Sequence, residues 1–508
     1  MGEVDPAAAA ASAIRAPPSA GDPPPEGRAL DRSLVRGIAW TGASRWATQL
    51  LSWASTLIVA RLLTPADYGL VGMATIYIGL LVYVNELGLG AAIVQRRDLT
   101  EDQIARLGGL GLLAGSAFVA VSLLAATAVA RFFSEPALRG IIAVSSLVFL
   151  TSALQIVPRA LLTRDLAFRR LAWVDGAEAL ITTVTALLLA VFGLGYWALV
   201  LGPLGGRIGS TAFLNVSRPH RVAWPRQLRT IAEAITLGWQ IVVARVAWYF
   251  YSNADMTIVG RVLGKDALGA YGIGWTIASL PVERVSALVI SVTPAVFSAV
   301  QHDRVALQRY LRLLTEGLSF ITFPAAVGIA LVAEEFVLLA LGEHWRAAVL
   351  PLRLLALSAA LRSVSPLLPP LLVATGHARR NMQRTILATL ILPALFYAGS
   401  HWGTAGVATA WVVGHPVFVF PLFLSAALHI TGMRFVQYAR ALAPAMWMTA
   451  VMAAAVLVVR WGTPSTWATG IRFTTQVLAG GAVYAGLLFA AYRERIGALW
   501  SLLRGMRG

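Results

Sequence analysis

Apolar residues in this chain run in long blocks, with polar residues gathered in the short gaps between them. Apolar stretches of about 20 residues recur along the sequence, and as an α-helix that length crosses a hydrocarbon core of about 30 Å. With boundaries good to a few residues, the blocks predict about fourteen spans: 37–60, 68–94, 104–130, 139–163, 173–193, 196–216, 231–260, 268–298, 313–341, 349–374, 383–400, 405–429, 441–460 and 472–492. Pro and Gly fall inside several of them, which membrane helices tolerate better than soluble ones.

The gaps separate into two alternating sets. One contains Arg96 and Arg97; Arg164, Arg169 and Arg170; Arg218, Arg221, Arg226 and Arg229; Arg304, Arg309 and Arg312; Arg379 and Arg380; and Arg434. Both tails belong with it, through Arg32 and Arg36 at one end and Arg493, Arg495, Arg504 and Arg507 at the other. The other set is short and poor in basic residues: LTPAD, the segment around SEPAL, GLG, GKDA, GEHW, SHWG and GTPST. Cytoplasmic loops carry the excess of Lys and Arg, so the alternation predicts that both termini are cytoplasmic.

A repeat sets the internal organisation. IVARLLTPADYGLVGMA (58–74) is matched by IVGRVLGKDALGAYGIG (258–274), with Ile58/Ile258, Val59/Val259, Arg61/Arg261, Leu63/Leu263, Gly69/Gly269 and Gly72/Gly272 in register. The copies close spans one and seven, so an even number of spans separates them and both face the same way. Parallel repeats of this kind are related by an axis along the membrane normal, with substrate held between the halves. The expected architecture is all-α and polytopic. A tail (1–30) precedes an N-terminal six-helix lobe (31–217), and a basic cytoplasmic linker (218–230) joins it to a C-terminal six-helix lobe (231–430). A helix pair and cytoplasmic tail (431–508) complete the chain.

Composition agrees. The chain of 508 residues is 58% hydrophobic and 13% charged, with a mean hydropathy of +0.72, whereas soluble domains run at about 45–50% apolar and about 25% charged. There is no cysteine, which excludes disulfides, thiolate metal sites and thiol catalysis. The formal charge of +17 follows the cytoplasmic loops rather than one soluble basic domain, so nucleic acid is not the expected partner. Residues 1–30, rich in Ala and Pro, lack the apolar core of a signal peptide and read as a disordered cytoplasmic tail.

Charged residues inside spans carry the candidate chemistry, because a charge at a span centre costs about 2.5–3.5 kcal/mol on insertion scales and usually faces a bundle interior or a wet cavity. Arg45 and Arg245 repeat the offset of 200. Arg45, Thr48, Gln49, Ser52 and Ser55 or Thr56 share one face of span one. Arg245, Tyr249, Ser252, Asn253 and Asp255 read as a similar stripe on span seven. With Arg207, Arg284 and Arg362 they predict a cationic cavity suited to phosphate oxygens. The alternative for each arginine is an ion pair that only locks helices together, as Glu283 offers beside Arg284. Glu86, Glu178 and Asp255 are candidates for H⁺ or Na⁺ coupling, while Asp175 and Glu316 lie near water at cytoplasmic ends. Arg61 and Arg261 sit at the outer interface, where snorkelling to headgroups explains them. His415 adjoins Pro416, and its ring is free to satisfy a backbone group opened by the proline. The GRVLGKD stretch departs from a phosphate loop, with no Ser or Thr after Lys265 and the wrong side of the membrane. No HExxH or EF-hand pattern and no long external loop occurs, so neither an enzyme nor a metal or other cofactor is expected.

Several stretches resemble bacterial polysaccharide flippases. NELGLGAAIVQRRDLTEDQ (85–103) looks like the exit of their second helix and first cytoplasmic loop. EPALRGIIAVSSLVFLTSALQIVPRALLTRDLAFRRLA (135–172), GYWALV (195–200) and SNADMTIVGRVLG (252–264) extend the likeness over about residues 33–430. The branch is that of colanic-acid exporters within the multidrug/oligosaccharidyl-lipid/polysaccharide exporter superfamily. The resemblance implies an inner-membrane transporter that moves an undecaprenyl-pyrophosphate-linked repeat unit to the periplasmic leaflet for exopolysaccharide, capsule or O-antigen synthesis. It implies two lobes around a hydrophilic cavity, with membrane lipids and the lipid-linked oligosaccharide as partners and a polysaccharide polymerase as a further candidate. Arg45 and Arg245 are then the first candidates to hold the pyrophosphate, and the repeat marks the hinge-bearing outer end of the first helix pair in each lobe. A flippase for the lipid-linked peptidoglycan precursor and a multidrug antiporter are the alternatives.

Overall fold

The computed structural model describes residues 55–85, 89–96, 98–224, 246, 248–464 and 466–505. Among them are helices and turns, and no strand. A helical stretch over 55–62 leads into α1 (Pro65–Asn85), α2 (Leu89–Gln95), α3 (Glu101–Phe133), α4 (Leu138–Ser145), α5 (Leu147–Arg164), α6 (Phe168–Val191) and α7 (Tyr196–Ser217). The second lobe begins with helical residues 248–258 and a π-helical turn, Val259–Leu263. It continues through α8 (Gly264–Ala299), α9 (Arg304–Ala340), a 3₁₀ turn (Glu343–Ala348), α10 (Val349–Val364), α11 (Leu368–Ala374), α12 (Ala378–Ser400), α13 (Gly403–Thr409), a π-helical segment (Ala410–Val419) and α14 (Phe420–Thr431). The pair α15 (Phe435–Gly462) and α16 (Thr469–Gly505) follows.

Ten described helices are long and apolar enough to cross a membrane, and α8, bent by 50° between Leu280 and Val285, makes an eleventh. Expected spans 37–60 and 231–260 lie largely outside the described residues. Expected span 196–216 is helix α7, which carries Arg207 and is not among the ten. The count of about fourteen is therefore an expectation that the described residues do not complete.

Local sequence sets the ends of these helices. In LTPAD, Thr64 caps α1 with Pro65 next to it: the Asp67 carboxylate accepts from the Thr64 amide at 2.9 Å and its hydroxyl at 2.7 Å. Its other oxygen accepts from the Tyr196 amide at 3.0 Å, tying α7 to the same turn. Thr100 and Gln103 form a reciprocal capping box on α3, and Asp303 caps α9 through the amides of Val305 and Ala306.

The repeat becomes a helix crossing. A Cβ added at Gly69 would fall on the backbone of Lys265, and one added at Gly269 would fall on the backbone of Pro65. The contact is reciprocal at the offset of 200, so each glycine lets the opposite backbone approach, as small residues do between membrane helices. The sequence placed these glycines inside each lobe, at the hinge of its first helix pair. They lie at that end of the pair, and there α1 of one lobe crosses α8 of the other.

Further bonds join the lobes around this crossing. Lys265 pairs with Glu135 at 3.1 Å, Trp345 Nε1 donates to the Ala60 carbonyl at 2.7 Å, and His344 Nε2 lies 3.1 Å from the Leu63 carbonyl. Arg61 donates to the Leu339 carbonyl at 3.2 Å, and Arg261 lies over the Phe132 ring at 5.7 Å. Both arginines thus bridge lobes, a role beyond the headgroup snorkelling expected of them. Deeper in, the Tyr249 hydroxyl donates to the carbonyl of Ile76 at 2.9 Å.

The apolar core repeats this asymmetry. One cluster mixes Ala60, Leu70, Met73, Ile141 and Ile142 with Val259, Leu268, Tyr271, Trp345 and Leu352, crossing between lobes near the basic-poor turns. Toward the basic loops the clusters stay within a lobe: Leu89, Ile93, Ile104 and Val157 on one side, Phe297, Leu307, Leu311 and Leu371 on the other. Among the described residues, the apolar packing between the lobes lies near the basic-poor turns.

The final helix pair is fastened to α9. Glu334 accepts from Arg353 at 2.8 Å and Arg460 at 3.1 Å, while buried Glu335 accepts from Arg472 at 3.1 Å and Gln476 at 3.1 Å. Removing one partner of a buried pair costs about 3–5 kcal/mol, because a charge is left uncompensated. Glu335→Ala is expected to lower the melting temperature of the purified protein by several degrees, and Glu335→Gln by less. An unchanged melting curve for the alanine variant would show that the pair is held by apolar packing alone.

Candidate functional site

Apart from the ion pairs on α9, two polar clusters stand out among the described residues, one in each lobe. The first is a cavity of about 800 Å³ between α2, α5, α6 and α7, in the half of the lobe nearest the basic loops. Its walls include Gln95, Gln155, Arg159, Asp175, Glu178 and Arg207, with hydroxyls from Ser152, Thr163, Thr182 and Thr183, and no aromatic side chain among the described residues.

The α6–α7 contact builds this wall. Gly202, Gly206 and Gly209 lie along one side of α7, where added Cβ atoms would strike Ala186, Thr182 and Ile181 of α6. Close approach brings Arg207, one residue past Gly206, to 3.3 Å from Glu178. One turn earlier on α6, Asp175 pairs with Arg159 of α5 at 2.8 Å. Buried Gln155 donates to the hydroxyls of Ser210 and Thr211 at 2.9 and 2.8 Å, joining α5 to α7.

The second cluster is buried in the other lobe. Asp255 accepts from the Tyr271 hydroxyl at 2.8 Å, from Trp411 Nε1 at 2.8 Å and from the Met256 amide at 2.8 Å. Trp411 carries this bond on its edge and Arg362 on its face: the guanidinium lies 4.6 Å from that ring and 4.0 Å from Trp275. The indoles are 5.3 Å apart, so Arg362 covers both. Its Nη1 is buried and has no hydrogen-bond partner among the described residues. Trp411 comes from the π-helical segment Ala410–Val419, which holds Pro416, and π-turns of this kind are frequent at functional sites. Two neutral donors and a backbone amide solvate Asp255, and the flat cation is held over two rings with its Nη1 unpartnered among the described residues.

These placements revise several expectations. Arg207 lines the cavity of its lobe and is paired there with Glu178. Asn253 spends its amide on the Tyr249 carbonyl of its own helix at 3.0 Å. The span-seven stripe divides: Tyr249 reaches the other lobe while Asp255 enters its own lobe's core, since six residues at about 100° each turn the helix to a different face. Arg284 falls at the bend of α8, and its side chain lies outside the described residues, as do Arg45, Gln49, Glu86 and Arg245. Glu316, expected beside water, is buried on α9, and Asp175 is exposed as expected. His415 is buried, with its Nδ1 unpartnered among the described residues, so it does not satisfy the proline-freed backbone through that atom. Trp275, Tyr271 and Trp411 were not singled out from sequence, and the Gly-His-Pro run at 414–416 was the one signal of an irregular helix there.

A family model described as polysaccharide biosynthesis protein matches residues 58–350. The chain is 23% identical to the teichuronic acid biosynthesis protein TuaB of Bacillus subtilis, over 92% of this chain and 97% of that one. It is 22% identical to the lipopolysaccharide biosynthesis protein WzxC of Escherichia coli, over 76% and 79%. Among solved structures it is similar to the lipid II flippase MurJ in an inward closed conformation, with a TM-score of 0.70 at 14% identity, covering 90% of this chain and 100% of that one. An inward-facing multidrug resistance MATE transporter of the MOP superfamily gives a TM-score of 0.57 at 16% identity, over 80% and 95%. At these identities the structures speak for the fold.

Proposed function

The chain belongs to the polysaccharide biosynthesis protein family, and on that premise we propose that it is a flippase of the MOP superfamily that moves a lipid-linked oligosaccharide across the membrane. The substrate we propose is an undecaprenyl-pyrophosphate-linked repeat unit, loaded from the cytoplasmic leaflet and released outside for exopolysaccharide, capsule or O-antigen assembly. The observation that carries the reading is where the lobes meet among the described residues. They are fastened at the face with basic-poor turns, while a polar cavity of about 800 Å³ lies in the half nearest the basic loops. With the basic loops cytoplasmic, this is the state that takes substrate from inside. Rocking the lobes about the cavity would then expose it outside.

Arg362 is our candidate for the pyrophosphate, beside Arg45 and Arg245, because a planar guanidinium held over two rings, with its Nη1 unpartnered among the described residues, suits phosphate oxygens. Asp255 is our candidate for H⁺ or Na⁺ coupling. A multidrug antiporter would be served by an acidic, aromatic cavity, whereas the described lining of this one has no aromatic and balances its carboxylates with arginines. The family match favours the polysaccharide reading over the peptidoglycan precursor.

Lipids that stay with the purified protein test the proposal by mass spectrometry. A polyprenyl-pyrophosphate oligosaccharide is expected on the wild type and depleted at least tenfold by the double substitution Arg45→Ala/Arg245→Ala, the factor that about 1.4 kcal/mol of lost binding produces. Bulk phospholipid alone, equal on both proteins, would remove the proposal's support.

A further inference from the structure

We infer that the cavity of the first lobe is a subsite for uncharged sugar units and excludes uronates and phosphates; this rests on the flippase reading above. Its charges decide the matter. The described lining holds two arginines, Arg159 and Arg207, and two carboxylates, Asp175 and Glu178. Each arginine already has its carboxylate, at 2.8 and 3.3 Å. Each pair leaves guanidinium donors over, with Arg159 Nε unpartnered among the described residues, but an anion that takes them lies beside Asp175 or Glu178, in a lining whose charges already balance. A neutral sugar meets no such cost.

The remaining wall suits a sugar. Ser152, Thr163, Thr182 and Thr183 bring hydroxyls and Gln95 brings an amide, groups that both donate and accept as sugar hydroxyls do. Paired carboxylates keep further lone pairs for sugar O–H groups. Gln155 is held by Ser210 and Thr211, so the wall is set before ligand arrives. The volume falls in the range of about 300–1,000 Å³ usual for small-ligand pockets. Two subsites follow: the charged linkage is met elsewhere, with Arg362 as the candidate, and the first lobe takes the neutral sugars.

A competition experiment tests this on the full-length protein in detergent. An equimolar mixture of two polyprenyl diphosphates, one bearing a neutral trisaccharide and one a trisaccharide with a uronate, is read by native mass spectrometry. The bare polyprenyl diphosphate is the third arm. The wild type is expected to retain the neutral compound in about tenfold excess, a factor worth about 1.4 kcal/mol. Glu178→Gln, which frees Arg207, should lose or reverse that preference. Asp175→Asn, which frees Arg159 at a more exposed pair, should do the same and stands in if the first variant does not fold. Equal retention, or preference for the uronate by the wild type, overturns the inference and leaves the flippase reading standing. Retention of bare lipid as strongly as either glycolipid overturns it too, and failure to retain any of the three removes both.

Discussion

Replacing Gly69 or Gly269 with leucine is expected to abolish transport and to leave the lobes unable to close at the face with the basic-poor turns. In the structure each glycine faces the backbone of the opposite helix, Lys265 or Pro65. A side chain there meets main chain, which cannot swing aside as a flexible neighbour would. Overpacking a close contact costs about 1–3 kcal/mol, occasionally more, and about 3 kcal/mol shifts a two-state balance by about 100-fold. On the rocking motion proposed above, this contact belongs to the state described here, so the penalty falls on that state and the lobes are expected to stay parted at this crossing. The absence of native cysteine makes the check clean. A cysteine at Gly72, whose Cβ would lie at an ordinary 3.4 Å from Leu268, is expected to react slowly with an impermeant maleimide in the parent and rapidly beside Gly69→Leu. Normal transport in both leucine variants would mean that the α1–α8 crossing is not a moving contact.

Arg362 carries the second large effect. Arg362→Ala is expected to reduce transport at least tenfold, and Arg362→Lys to recover little of it. Lysine keeps the charge but cannot lie flat over Trp275 and Trp411, at 4.0 and 4.6 Å from the guanidinium. A desolvated contact of this kind is worth about 2 kcal/mol or more per cation. Loss of the cation also leaves Asp255 with neutral donors only, so a fall in stability is expected alongside. Read beside Asp255→Asn alone, the double variant Asp255→Asn/Arg362→Leu separates the effects: it should regain thermal stability relative to Arg362→Ala while its transport stays below that of Asp255→Asn. Recovery of both would assign Arg362 a purely structural role.

The positions of the described spans and the register of the repeat were legible because they depend on single residues and their neighbours in sequence. Gly69 and Gly269 could be read as close-packing residues, but not that each packs on the other's helix, since that depends on how two lobes meet. Arg207 could be placed in the membrane. Its partner Glu178 lies on another helix, and the α6–α7 register set by Gly202, Gly206 and Gly209 brings them together. Asp255 could be named as an intramembrane carboxylate. Its Trp411 donor comes from the far end of the lobe on a π-helical segment, and a regular 3.6-residue period carries no information about such a turn. Of the cationic cavity read from sequence, Arg45, Arg245 and the Arg284 side chain lie outside the described residues, while Arg207 lines a charge-balanced pocket in one lobe and Arg362 lies over two indoles in the other.

The central claim is tested most directly by translocation in vesicles. Purified protein is reconstituted with a polyprenyl-diphosphate trisaccharide confined to one leaflet, and a glycan-cleaving enzyme added outside reports its arrival in the other. The account predicts protein-dependent cleavage that is lost in Gly69→Leu and Arg362→Ala. Arrival no faster than in protein-free vesicles, or equal rates in wild type and both variants, would contradict it.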